Sequence, residues 1–557
     1  MYIRTMRNAA GQTYYYLVEA FREGSKVRQR TILSLGRAEE GKLEALAQAV
    51  AKHTEYMTAM DIAKSMSVEQ TYVLGPLLVL ECLFERLGIN EALARIQDTH
   101  EQLEIPLRDV VFSVVASRFV RPSSKLSIYE EILDQLYPEM VHKDIALHQI
   151  YRAMDLLCAH KDDVEQSLFL HGRDLFSAQV DVVLYDLTTL RFESTREDLG
   201  DLRRFGYSKE MRTDCTQVVL GLLVDPDGIP LGFEVYPGNT FEGKTLKDIV
   251  QKMKAKFRVR RFIFVADRGL FSKENLDELK TGKAEFIVGM RLGQLGKRRP
   301  ELYDRSFFTL LNDDLSVFET SHQDDRCIVT WSKERAERDR KVREDILEKI
   351  RKKLSAKSVS PKTFVSNSNY RIFLKGLDEG EKPFIDEKKI EAAARKDGFF
   401  AIVTNVKDKS AAELCAQYKQ LWHIEDSFGE LKGTLKARPI FHWKDHRIVG
   451  HLTLCFIALL CEAHLTRLLR GIAEPRDSRA IRDDIIDARQ LSAVSVIKEL
   501  CEVRAIPVTV GKNKIWVRTD IRGHAAKIFQ LLHLRIPNRL LKTENVVIQT
   551  KTSSVTS

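Results

Sequence analysis

The sequence has no C-x-x-C pair, and its eight cysteines, at positions 82, 158, 215, 327, 415, 455, 461 and 501, are scattered without zinc-type spacing to histidine. That excludes a zinc ribbon and a disulfide framework, and it fits reduced, buried thiols in a cytosolic protein. The opening MYIRTMRNAAG holds no apolar core of a signal peptide, and the longest apolar run, near Leu452 to Cys461, is too short to span a bilayer. The expectation is a protein with no membrane partner. Charge of one sign is also scarce: 88 basic residues face 79 acidic ones, so the net +9 only mildly favours a polyanionic partner. A hydrophobic content of 44% over 557 residues excludes disorder and suffices for several buried cores.

What is present is a set of three acidic residues in distinctive settings. Asp186 in VVLYDLTTL and Asp267 in FIFVADRG each end a hydrophobic strand, while Glu425 in YKQLWHIEDSFGELK lies inside an amphipathic pattern. Two strand-end aspartates meeting a helical glutamate form a carboxylate cluster suited to paired divalent metals and phosphodiester chemistry. The chain therefore reads as a nucleic-acid enzyme.

Organisation changes along the sequence. Residues 1–40 alternate apolar and polar around Gly11 and Gly24, predicting a small basic β-ribbon that is either a DNA contact or a solvated surface. Residues 41–177 carry helical periodicity and predict a helical domain, either a helix-turn-helix module that grips DNA or a packing module, with Ser127 and Glu130 as a capping box. From 178 to 290 the order is strand, strand, strand, helix, strand, with DPDG turning between the second and third strands. This is the opening of an RNase H-like catalytic core, in which the first and fourth strands lie side by side and Asp186 meets Asp267.

The 158 positions between Asp267 and Glu425 are too many for a loop and predict an inserted β-rich subdomain at 291–397, with strands LSVFET, RCIVTWS and NYRIFLKGL. Its charged helix, about 333–357, has a sparse seam at Val342, Ile346, Ile350 and Leu354, so it is a solvated helix with one packed edge or a nucleic-acid contact. Trp331 is either a base-stacking residue or core. The core resumes at 398–470, and a helix-rich C-terminal region follows at 471–557, with a strand pair in PVTVGKNKIWVRTD. Within the glutamate segment, Tyr418, Glu425 and Lys432 are seven apart and fall along one side of a continuous helix. The plainer alternative for that helix is a surface Glu and Lys pair.

These residues resemble the insertion-sequence transposases of the DDE class, in the insertion-sequence-4-like group whose terminal motif is Y-x2-R-x3-E-x6-K. Tyr418, Glu425 and Lys432 match it, and Leu421 stands at the arginine position, with His423 or a basic residue nearby as a partial substitute for the phosphate contact. YDLTTLRFES, the stretch from GYSKEMRTDC to YPGNT, and VADRGL are similar to the same family, as is KVRQRTILSLGR near the start. The resemblance implies Asp186, Asp267 and Glu425 as catalytic residues and ligands of two Mg²⁺ ions, with Mn²⁺ as a substitute. Asp186 would bridge both ions. It implies cleavage at terminal inverted repeats of double-stranded DNA, followed by attack of the freed 3′-OH on target DNA. Arg268, Lys432 and Arg438 are expected on backbone phosphates, with Tyr418 supporting the strand or the packing. A homodimer in the synaptic complex and a cytoplasmic, nucleoid-associated location in a prokaryote complete the expectation. The rivals are an RNase H-like nuclease or resolvase without strand transfer, and a non-catalytic DNA-binding relic.

Overall fold

The computed structural model describes residues 2–23, 26–68, 70–100, 105–142, 144–171, 182–197, 200–207, 214–241, 245–257, 261–355, 368–376, 383–473, 493–510 and 513–545. Residues 178–181 at the start of the predicted catalytic core, and 474–492 and 546–557 of the predicted C-terminal region, lie outside them. The chain forms two compact units, one from 1–71, 505–518 and 538–557, the other from 72–504 and 519–537.

In the first unit, β1 (Tyr2–Arg7), β2 (Thr13–Glu23) and β3 (Lys26–Arg37) form an antiparallel three-stranded sheet where the basic β-ribbon was expected. Tyr14, Tyr15 and Tyr16 on the central strand are half-buried, while most of β3 is exposed. A 24-residue helix, α1 (Lys42–Ser65), follows, and then β4 (Met66–Val68). β4 pairs antiparallel with β17 (Arg504–Val510), which pairs in turn with β18 (Asn513–Arg518) and β18 with β19 (Leu540–Asn545). The expected C-terminal strand pair is therefore β17 and β18, but the 471–557 stretch is divided between the two units.

The second unit opens with β5 (Tyr72–Val73) and is built on a nine-stranded mixed sheet. Its strands are β6 (Val182–Arg191), β7 (Gln217–Val224), β8 (Pro230–Pro237), β9 (Ile263–Ala266), β10 (Glu285–Met290), β11 (Thr309–Leu310), β12 (Leu315–His322), β13 (Asp325–Ser332) and β16 (Phe399–Thr404), in the spatial order β11-β12-β13-β16-β10-β9-β6-β7-β8. β6 lies parallel to β9, and β9 to β10; the other neighbours are antiparallel. Alternation along β6 sends Val183, Tyr185 and Leu187 into a core closed by the helices Leu246–Phe257 and Lys273–Thr281. Asp186 and Thr188 consequently face the other side.

The inserted strands do not fold apart from this sheet. β13 pairs with β16, and β16 with β10, so β11 to β13 prolong the core sheet because their apolar residues, such as Cys327 and Val329, join the same hydrophobic cluster. The charged helix runs Lys333–Leu354 and packs Leu347 and Ile350, with Ile346 and Leu354 beside them, on Tyr370, Phe373 and Leu374, while Val342 stays 53% exposed. NYRIFLKGL is mostly not a strand: it gives a helical turn, Ser368–Arg371, and the short β14 (Leu374–Lys375), which pairs with β15 (Phe384–Ile385).

The predicted helical domain also redistributes. α1 belongs to the first unit, while the helices Gly75–Arg86, Ile89–Thr99, Leu107–Val120, Leu147–Ala159 and Lys161–His171 belong to the second. There the apolar helix Asp445–Ala473 packs on Leu107–Val120 and Leu147–Ala159. Gly450 makes the approach close, since a Cβ there would lie 2.0 Å from the Met154 carbonyl oxygen. This 29-residue helix is long and apolar enough to cross a membrane by length and composition, and most of its apolar window is buried inside the protein. The helix start assigned to Ser127 is three residues early in the structure: Ser124 Oγ accepts the Ser127 backbone N–H at 3.1 Å.

Candidate active site

Parallel pairing sets the first two acids side by side. The register matches Tyr185 on β6 with Ala266 on β9, so Asp186 and Asp267 come next to each other; Asp267 ends β9, but Asp186 does not end its strand as expected, because β6 continues along β7 to Arg191. Ala266 belongs to the helix-covered core, and alternation turns Asp267 to the face shared with Asp186.

The glutamate segment is not one helix. It breaks at Gln420 and Leu421 into Ala411–Lys419, opened by a Ser410 and Glu413 capping box, and Trp422–Lys432. Tyr418 thus sits on the first helix, over β9 and β10, and Glu425 and Lys432 on the second, over β6 and β7. The break does not separate them from the sheet acids. Asp186, Asp267 and Glu425 line one cavity of about 440 Å³ together with Tyr418, Leu421, Lys419, Arg335 and Arg338. Asp186 is half-buried, and Asp267 and Glu425 are exposed.

Tyr418 donates its hydroxyl to Asp267 Oδ1 at 3.2 Å. Burial first, and then the neighbouring Asp267 carboxylate, push the phenol well above its ordinary pKa, so it remains a donor. Its path crosses Gly289, where a Cβ would come within 2.4 Å of the hydroxyl. Lys432 donates to Thr188 Oγ1 at 2.6 Å, two residues beyond Asp186 on the same face of β6. Leu421, where the family motif carries arginine, reaches the cavity as an apolar wall.

The charged helix contributes groups that the sequence did not distinguish. Ser332 caps it, and Asp314 accepts from the Ser332 hydroxyl at 2.7 Å and from the Glu334 N–H at 2.8 Å, fixing a first turn whose Arg335 and Arg338 enter the cavity. The Arg335 guanidinium lies 4.7 Å from the Phe400 ring centroid, with Asp339 at 3.9 Å. Its Nε is buried without a hydrogen-bond partner. Burial, with Arg338 and Arg268 adding repulsion, lowers its pKa. Such a guanidinium on the cavity wall suits an anionic oxygen. Only i, i+3 spacing marked Arg335 and Arg338 in a helix full of basic residues.

Other expected contacts lie elsewhere. His423 is two positions from Glu425, about 200° round the helix, and its ring stands beside Trp422 and against Gly228 in the β7–β8 turn. It is not among the residues that line the cavity. Trp331 is a packing residue: its indole N–H donates to the Asp397 carbonyl at 3.2 Å, and Arg305 covers the ring at 3.6 Å from its centroid. Arg268 is exposed directly after Asp267. Arg438 is partly buried next to Arg191, and burial first, then that arginine, lower its pKa.

Hard carboxylate oxygens on one cavity wall are the donor type that Mg²⁺ and Mn²⁺ take, so the residues fit the group. Among the described residues, the trio whose carboxylate oxygens all lie within 4.8 Å of one another is a different one, Asp162, Glu165 and Glu234. Lysines neutralise that trio: Lys161 reaches Glu165 at 3.0 Å and Glu234 at 3.1 Å, Lys256 reaches Glu165 at 2.6 Å, and Lys252 reaches Glu234 at 2.9 Å. It is a buried ion-pair network joining a helix to β8, not a metal centre.

The chain matches the family described as Transposase DDE domain over residues 178–461, and the family described as IS1634 family transposase, N-terminal domain, over residues 3–61. No curated protein matches it. Among solved structures, the piggyBac transposase synaptic complex with hairpin DNA is similar over 78% of this chain and 82% of that one, at 9% identity and a TM-score of 0.35. The first family match alone spans more than half of the sequence, and with the N-terminal match it establishes that this chain belongs to the insertion-sequence transposases of the DDE class.

Proposed function

We propose that the protein cleaves DNA at the ends of its own element and joins the freed 3′-OH to target DNA, with Asp186, Asp267 and Glu425 as the catalytic acids. The observation that carries this reading is the meeting of the three in one cavity from positions up to 239 residues apart, two of them side by side through the β6–β9 register. The strand order β8-β7-β6-β9-β10 supports an RNase H-like core for this site.

Asp186, Asp267 and Glu425 would together hold two Mg²⁺ or Mn²⁺ ions. Such a pair supplies charge neutralisation at the attacking and leaving oxygens of an in-line displacement. The remaining work falls to the protein. Tyr418 orients Asp267 through its hydrogen bond. Lys432, tied to Thr188, and Arg268 and Arg438 hold backbone phosphates, which positions the duplex without reading its sequence. Arg335 and Arg338 bring positive charge from the opposite wall to the phosphate being exchanged. Reading of the terminal repeats falls to the first unit, whose ribbon carries seven Arg and Lys against two Glu over residues 1–37.

The test uses the purified full chain with DNA carrying the inverted repeats that flank its coding sequence. Cleavage and strand joining are expected with Mg²⁺ or Mn²⁺ and not with EDTA. Cleavage without any joined product would make it a nuclease instead, and full cleavage by Asp186→Ala would remove the site assignment.

A further inference from the structure

The strand that carries Asp186 runs on past the cavity and ends against a short aromatic segment. Ile440 pairs with Phe192, the residue after β6, and its backbone N–H donates to the Arg191 carbonyl at 3.2 Å. Residues 440–443 are therefore laid along the far end of the strand, about 20 Å from Asp186. Alternation decides which of them face out. Ile440 is buried and the His442 ring lies near those of Tyr151 and His451, so Phe441 and Trp443 turn to solvent, 60% and 42% exposed. Phe205 and Tyr207 are exposed as well, on a loop that Asp445 holds by accepting the Asp201 N–H at 2.7 Å.

Large aromatics grouped at a surface mark an interaction site, and here one of them is held stiffly. The buried Arg203 guanidinium lies 4.6 Å from the ring centroids of both Phe192 and Trp443, and Arg196 lies 5.6 Å from the Trp443 centroid. An indole backed in this way has little freedom left to lose when a ligand covers its open part.

Charge identifies the ligand. From Asp186 the cations follow one another along β6: Lys432 on Thr188, Arg438 near Arg191, and then Arg203 and Arg196 at Trp443. Over residues 432–447 five Arg and Lys stand against one Asp, and that Asp is engaged with backbone N–H groups. A row of cations suits a phosphate backbone, and aromatic rings beside it suit the faces of bases. A closed duplex keeps those faces stacked on one another, so the bases that reach the rings are unpaired ones.

We infer that Phe441 and Trp443 form a stacking platform for unpaired bases of a DNA strand that leads away from the acids along β6. The inference rests on the DNA-processing reading given above and adds a site that distinguishes opened DNA from a closed duplex.

The experiment titrates the full chain, in EDTA so that nothing is cut, into three labelled DNAs of one sequence: a blunt duplex, the duplex with a single-stranded tail, and the duplex with an internal bulge. Tail and bulge separate the two sources of unpaired bases, a strand end and an opened step. Tighter binding of either than of the blunt duplex, by about tenfold, is expected. Phe441→Ala, at a mostly exposed side chain, should remove that preference, and Phe441→Tyr should keep it. A 2-aminopurine among the unpaired bases should be quenched on binding the wild type and less so on binding Phe441→Ala. Equal affinity for the three DNAs overturns the inference. So does a preference that survives in both Phe441→Ala and a folded Trp443→Leu, or a self-association that Phe441→Ala abolishes, which gives the patch to a second copy. A chain that prefers unpaired bases but never cuts end DNA keeps the platform and loses the catalytic reading; one that cuts without the preference does the reverse.

Discussion

Tyr418 Oη stands 3.2 Å from Asp267 Oδ1, a contact across 151 positions that joins the helix before the glutamate to the end of β9. Removing it with Tyr418→Phe takes away one hydrogen bond to a charged acceptor, worth about 1.5–3 kcal/mol. Cleavage is expected to fall roughly tenfold to a hundredfold with end binding unchanged. Because burial and Asp267 raise the phenol's pKa, the wild-type rate profile is expected to show no tyrosine ionisation below about pH 10. Gly289→Ala, which drives a methyl group onto the same hydroxyl, should reproduce the defect.

Alanine at Asp186, Asp267 or Glu425 is expected to lower cleavage by at least about a hundredfold. Melting temperature, followed by circular dichroism, should not fall, since none of the three is fully buried and like charges are being removed from one cavity. A large loss of stability in any of them would mean that the residue serves the fold.

Arg335→Ala separates phosphate contact from helix packing. Cleavage should drop about tenfold, and Arg335→Lys should recover only part of it, because lysine cannot present the guanidinium fork. Single-turnover kinetics on end DNA would measure both.

Trp331→Ala is expected to act on stability. With its ring under Arg305 and its N–H on the Asp397 carbonyl, truncation should cost about 2–4 kcal/mol, read as a lower denaturation midpoint. Substrates with an unpaired base near the cut should give no rescue.

Acid should destabilise the second unit through His442 and His451. His442 is held down to about 3 by burial first and by Lys125 and Arg118 next, and His451 is lowered by the same causes. Their folded values lie below the ordinary histidine value of about 6.5. The stability they contribute is therefore complete above that pH and is lost as pH falls towards 3, by at most about 1.4 kcal/mol per pH unit for each. Arg118 donates to the carbonyls of Leu435 and Lys436, and His451 Nε2 lies 3.1 Å from the Ala437 carbonyl, so loosening this cluster frees the segment after the glutamate helix. His442→Asn should flatten the dependence of melting temperature on pH between about 6.5 and 4.

The sequence by itself determined the strands that carry the two aspartates, because apolar patterning is a local property, but not that β6 runs past Asp186 to Arg191, since that continuation depends on pairing with β7. It determined the family through short motifs in order. The break at Gln420 was not legible, since apolar spacing continues across it and only packing over β9 and β10 turns the chain there. The pairing of β13 with β16 was equally hidden, because a strand's neighbour depends on which edge its apolar face can reach. His423 faces elsewhere than expected, and of the two readings of Trp331 only the packing one fits its contacts, for a related reason: residue type shows what a side chain can bind, while its direction and its neighbours are fixed by the fold. Arg335 and Arg338 became visible only when one end of a uniformly charged helix was brought to the acids. Local chemistry is written along the chain, whereas the cavity arises from contacts between distant segments, whose free energies no single stretch of sequence contains.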